Sequence, residues 1–155
     1  KTFNIAGLKV GFALSHNEAL LDRLRAQAAG LLTPPNVLAQ AAASAAFSQC
    51  SEWHEDTLDY LRSNSTYLGE LLAAHLPGVS YRPAEGTYLA WLDFSGVVPA
   101  DELKDFLIEE ARVGLSLGAD YGTGGEGWAR MNLATSKSII HEAVSRIAAA
   151  LARRN

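Results

Sequence analysis

Four histidines, one cysteine, a glycine-rich run and thirteen scattered lysines and arginines are the groups in this chain from which chemistry could be built. His16, His54, His75 and His141 are dispersed, with no spacing that would gather two imidazoles on one metal ion. They read as solvated or structurally bonded side chains, and no metal site is expected. Cys50 stands alone, so it can form neither an internal disulfide nor a cysteine-based zinc site; no nucleophile elbow or thiol-protease signature surrounds it or any serine. Gly122-Thr123-Gly124-Gly125-Glu126-Gly127 satisfies G-x-G-x-x-G, but it leads into a strand instead of opening a helix, and reads as a flexible turn. Thirteen lysines and arginines remain, Lys1, Lys9 and Arg130 among them, and spacing alone singles out none. A primary amine can serve as nucleophile and proton carrier, and a guanidinium can grip a carboxylate through two parallel hydrogen bonds. By spacing alone, the two lysines are equally well surface residues and Arg130 one half of a surface ion pair.

The elements that must position these groups follow from periodicity. Residues 8–14, Leu-Lys-Val-Gly-Phe-Ala-Leu, predict a short buried strand. Ser15 with Glu18 three positions on forms a capping-box pattern, and Leu20, Leu21, Leu24 and Ala28 repeat at helical spacing up to Gly30. Thr33-Pro34-Pro35 prepares a second helix, whose alanine-rich run over 37–47 permits close packing. The longest helix is predicted over 51–76, where Pro77-Gly78 stops it. Strand patterns then occupy 79–82, 88–94, 113–117 and 128–134, with a crossing helix at 99–111 that turns Leu103, Phe106, Leu107 and Ala111 to one face. A last helix from Ser138 to about Arg153 buries Ile140, Val144, Ile147 and Leu151 and carries Arg153-Arg154 at its C-terminus.

Residues 77–155 therefore predict a small α/β sandwich of one sheet and two helices. The first fifty residues offer a single apolar strand without a partner, which a neighbouring sheet must supply. The chain also opens on Lys1 directly into a patterned segment. Both features lead us to expect a piece of a longer protein, with a boundary near residues 48–55.

Composition narrows the classes of function. The 155 residues are 48% hydrophobic and 19% charged, one ordinary domain's worth of core-forming material. Thirteen Lys and Arg against seventeen Asp and Glu give a net charge of −4 with no basic cluster, so neither nucleic acid nor an anionic membrane is expected as a partner. No run reaches the roughly 18 apolar residues of a membrane span, and no signal-peptide pattern opens the chain. With a single cysteine, these features predict a cytoplasmic protein.

Three segments carry a family resemblance. The opening Lys1-Thr2-Phe3-Asn4-Ile5-Ala6-Gly7-Leu8-Lys9-Val10-Gly11 resembles the lysine segment of the fold-type I pyridoxal 5'-phosphate (PLP) enzymes, the class I/II aminotransferase superfamily. Gly127-Trp128-Ala129-Arg130-Met131-Asn132-Leu133 resembles that superfamily's small-domain strand bearing a substrate-binding arginine. Pro83-Ala84-Glu85-Gly86-Thr87-Tyr88-Leu89-Ala90-Trp91-Leu92-Asp93-Phe94 is similar to the matching strand of the cystathionine β-lyase-like C–S lyases, and the lysine segment suits the same branch. Individually, Tyr88, Trp91 and Phe94 read as half-buried strand aromatics.

The resemblance implies an α/β chain: the C-terminal small domain of a PLP-transferase fold over 51–155, including a linking helix, preceded over 1–50 by the remnant of the large cofactor-binding domain. It implies that Lys1 is the catalytic residue and the cofactor's Schiff-base partner. Lys9 would help hold the cofactor phosphate, at a position where most aminotransferases carry arginine, and Arg130 would bind the substrate α-carboxylate. The expected activity of the parent protein is C–S β-lysis of cystathionine or a cysteine S-conjugate, giving pyruvate, ammonia and a thiol. The alternatives are an aminotransferase and, from another class, a non-catalytic α/β interaction domain. A homodimer acting on small amino acids is implied for the parent, and the 155-residue piece alone is expected to be inactive.

Overall fold

Asn17 opens the first helix. Its Oδ1 accepts the Leu20 N–H at 3.0 Å, satisfying one of the free donors at the start of α1 (Glu18–Ala28). Ser15, the cap predicted from sequence, instead accepts the Asn17 N–H at 3.0 Å and shapes the turn before the helix. Asn36 caps α2 (Val37–Gln49) in the same way, accepting from Ala39 N–H at 2.8 Å, directly after two prolines that cannot extend the helix backwards. At Cys50 the backbone leaves the helical region, and α3 (Ser51–His75) begins at the next residue. The computed structural model describes residues 1–154, and the chain divides into two compact units, Lys1–Thr57 and Leu58–Asn155.

In the first unit the strand predicted over residues 8–14 does not form. Ala6–Leu8 makes a single 3-10 turn and residues 9–14 have no regular structure, leaving Phe12 66% and Leu14 86% exposed. A lone strand leaves its N–H and C=O groups without partners, and among the described residues this unit holds no other strand. What order there is comes from helices and from aromatic contacts: Phe47 meets Phe3 edge-on at 5.0 Å and Phe12 at 5.5 Å.

The second unit is a mixed α/β layer structure. Among the described residues, β1 (Ser80–Tyr81), β2 (Leu89–Asp93), β3 (Ser116–Leu117) and β4 (Trp128–Asn132) form an antiparallel sheet in the order β1-β2-β4-β3. The central pair is in register Ala90 to Met131, Trp91 to Arg130 and Leu92 to Ala129. Alternation then sends Ala90, Leu92, Ala129 and Met131 into the core and puts Trp91, Trp128 and Arg130 on the opposite face. The edge strands are only two residues long, which limits exposed backbone at the sheet margins.

Helices cover the core face. From α3, Leu68, Leu71 and Leu72 enter it, and from α5 (Lys137–Arg154), Ile140, Val144, Ile147 and Ala150 do. Between β2 and β3, the helix predicted over 99–111 is shorter and wider. A turn of α-helix, α4 (Leu103–Asp105), runs into a π-helical turn over Phe106–Glu110, where Ala111 N–H donates to the Phe106 carbonyl at 2.9 Å, five residues back. Leu103, Phe106, Leu107 and Ala111 all reach the core, as their spacing predicts. No described helix is long and apolar enough to cross a membrane.

Candidate active site

Arg130 lies mid-way along β4, the central strand on that side of the sheet, with Trp91 opposite it on β2 and Ser116 opposite it on β3. Paired residues of an antiparallel ladder share a face, so these three form a row across the outer surface of the sheet. Trp91 stacks on Trp128, ring centroids 6.2 Å apart, at one end of the row. From a 3-10 turn after β3 (Gly118–Tyr121), Tyr121 folds back so that its ring lies 4.7 Å from the Arg130 guanidinium carbon. The same ring meets Trp91 edge-on at 5.7 Å. Arg130 Nη2 donates a long hydrogen bond of 3.3 Å to Ser116 Oγ.

The turn reaches the strand because Gly118 has no side chain: a Cβ there would stand 2.8 Å from Trp128 Cβ and 2.9 Å from its carbonyl oxygen. The glycine-rich run that follows is a turn, with Gly122, Gly124 and Gly127 at positive φ. Among the described residues no carboxylate pairs with Arg130. Asp93, the acid on the same face of β2, is occupied by Ser95, accepting its N–H at 2.9 Å and its hydroxyl at 2.6 Å. The half-buried guanidinium is thus flanked by aromatic rings and has no anionic partner among the described residues.

The two lysines belong to the first unit. Lys1 is exposed, and its carbonyl accepts the Asn4 N–H at 3.0 Å, closing a turn in which Asn4 has φ 55°. Lys9 ends the 3-10 turn in the left-handed region, with φ 55° and ψ 46°, its N–H donating to the Ala6 carbonyl at 3.0 Å. The strand expected over residues 8–14 would have included it; it instead terminates a turn. Both amines are solvent-facing, and among the described residues neither is paired with an acid. No cluster of His, Cys, Asp and Glu that could hold a metal ion occurs among the described residues.

Sequence reading missed Tyr121 and Ser116. Ser116 was recoverable only from strand register, which the sequence leaves free. Tyr121 sits in a turn whose return onto the sheet depends on the Gly118 contact, and no periodicity marks it.

Comparison with known proteins adds the family context. The family model "Aminotransferase class I and II" matches residues 1–147. A relative from Mycobacterium tuberculosis is 38% identical, the match covering 99% of this chain and 42% of that protein. The cystathionine beta-lyase PatB of Bacillus subtilis is 34% identical over 97% of this chain and 40% of its own length. Among solved structures, cystalysin from Treponema denticola, which contains a pyridoxal 5'-phosphate cofactor, superposes with a TM-score of 0.92 at 27% identity, covering 99% of this chain and 40% of that one. The chain spans about two fifths of the length of the curated relatives it matches.

Proposed function

Because the chain belongs to the aminotransferase class I and II family, we propose that the whole protein is a PLP-dependent C–S β-lyase acting on cystathionine or a similar cysteine S-conjugate. The observation that carries this reading in the chain itself is the unpaired Arg130 guanidinium among aromatic rings on the outer face of the sheet. The likeness to PatB, a cystathionine beta-lyase, supports the lyase branch over simple amino transfer.

The donor set suits the cofactor. Lys1 supplies an exposed primary amine of the kind that holds an aldehyde, and Lys9 a second cation suited to a phosphate. When bound, the cofactor supplies an electron sink for the charge left on the substrate Cα. In this reading Lys1 Nζ would hold the cofactor and, when not so engaged, would take the proton from the substrate Cα as general base. Arg130 grips the α-carboxylate with two N–H donors and fixes which Cα bond stands ready to break. Residues 1–50 form the end of the large cofactor-binding domain and 51–155 the linking helix and small domain. We further infer a cytoplasmic homodimer. The rest of the large domain would cover the apolar side chains that stand exposed in the first unit, Leu31, Leu32, Val37 and Leu38 among them.

The test uses the intact protein. With L-cystathionine it should release pyruvate and a thiol; keto-acid-dependent transfer without thiol release would replace the lyase with an aminotransferase. Lys1→Ala should abolish turnover and the visible absorbance band of the bound cofactor. Arg130→Lys, keeping the charge but losing the fork, should raise KM about tenfold or more.

A further inference from the structure

We propose that Tyr121 is a positioning residue for the substrate carboxylate: its ring holds the Arg130 guanidinium in place, so that the free N–H donors are presented to an α-amino acid before it arrives. The inference rests on the reading of Arg130 as the carboxylate-binding group.

Three observations carry it. The guanidinium carbon lies over the Tyr121 ring, 4.7 Å from its centroid, so the ring shields one side of the cation, while its N–H donors, apart from the one directed at Ser116, have no partner among the described residues. The only polar tether of the guanidinium among the described residues is the 3.3 Å hydrogen bond to Ser116, too long to fix a long side chain by itself. Tyr121 is in turn braced: its ring abuts Trp91 edge-on at 5.7 Å, and Trp91 is stacked on Trp128, so a residue on a loop is docked against two strands. Yet Tyr121 is itself 53% exposed, a poor core residue by burial. An exposed ring supported from behind and laid on an unpaired cation organises that cation more than it stabilises the fold.

An arginine freed from the ring would have to be ordered at the moment of binding, which corresponds to about a two- to tenfold loss of affinity, confined to ligands that carry the carboxylate. Isothermal titration of the intact, cofactor-loaded protein with L-alanine and L-alaninamide reads this directly, since neither ligand has a β leaving group and only the first has the anion. Tyr121→Leu should weaken L-alanine by that factor and leave L-alaninamide unchanged, and Tyr121→Phe, which keeps the ring, should restore the parent values. Tyr121→Gln provides a second ring removal with a polar surface. The inference fails if both ring removals keep the parent's ratio of the two affinities while Arg130→Lys collapses it, or if they weaken both ligands equally. Should Arg130→Lys itself leave the ratio intact, the carboxylate role of Arg130 falls, and the role of Tyr121 with it.

Discussion

The buried amide of Asn64 is the point at which α3 is tied to the end of β4. Its Nδ2 donates to the Leu133 carbonyl at 2.9 Å and to the Thr135 carbonyl at 2.8 Å, and the residue is wholly enclosed. Two acceptors facing one group require the amide nitrogen there. Asn64→Asp keeps the shape, removes both donors and sets a carboxylate against two carbonyls. We expect a loss of about 2–4 kcal/mol, read as a lower urea midpoint at unchanged m-value. Sequence reading did not single out Asn64, because a polar residue within the helical period of Leu61, Leu68, Leu71 and Leu72 looks like a break in the apolar face. It could not show that the break meets two free carbonyls 69 and 71 positions away. The same blindness to long-range partners hid Tyr121. Arg130 was marked by the resemblance of its segment rather than by its type or spacing, and the structure supplied what surrounds it.

At the scale of elements, legibility followed whether an element carries its own hydrogen bonds. The long helix α3 was predicted over 51–76 and occupies Ser51–His75, because helical bonds are internal and Pro77 ends the run. The strand expected at 8–14 has no such self-sufficiency: its sequence already called for a ladder from a neighbouring sheet, and with no other strand among the described residues of the first unit it does not form. The π-helical turn was unreadable for a different reason: its apolar residues fit an α-period almost as well, and the choice is made by packing. There Phe106 is fully buried, and Phe106→Ala should cost about 3–5 kcal/mol by the denaturation midpoint. The same turn is clasped to α5 by Arg154, which donates to Glu110, with Nε to Oε2 at 2.8 Å, and from Nη1 to Glu102 Oε2 at 2.9 Å. Hydrogen bonding from Arg154 holds the Glu110 carboxyl below its ordinary range, with the Arg154 and Arg153 charges adding to the effect against desolvation. A carboxyl lowered in the folded state binds fewer protons than its unfolded counterpart, so it stabilises the fold above the unfolded glutamate pKa. That contribution is lost as pH falls through the folded value. Arg154→Ala should therefore lower the melting temperature modestly at pH 7, and the difference from the parent should shrink as the melts are repeated towards pH 3.

Over the whole molecule, apolar burial is unevenly shared, and this makes a prediction about which part can stand alone. The main cluster of buried hydrophobic side chains, from Leu68 to Ala150, lies within Leu58–Asn155. In Lys1–Thr57, the buried hydrophobic residues are Ala39 and Ala46, small groups that contribute little apolar area, while Phe12, Leu14, Leu31, Leu32, Val37, Leu38 and Phe47 are each more than half exposed. Stability built from burial must then reside in the second unit, together with as much of α3 as it needs to bury Leu68, Leu71 and Leu72. A chain beginning at Ser51 should unfold cooperatively in urea with a midpoint close to that of the 155-residue chain, and should bind less of a dye that reports exposed apolar surface. Residues 1–50 alone should show weak helical signal and no cooperative transition, because helices of 11 and 13 residues are marginal in water without a packed face. A large drop in midpoint for the chain beginning at Ser51 would mean that the first unit contributes stability not expressed in its buried area. Restoring cooperative order to residues 1–50 should instead require the remainder of the protein, whose strands would give residues 8–14 the ladder their apolar run calls for.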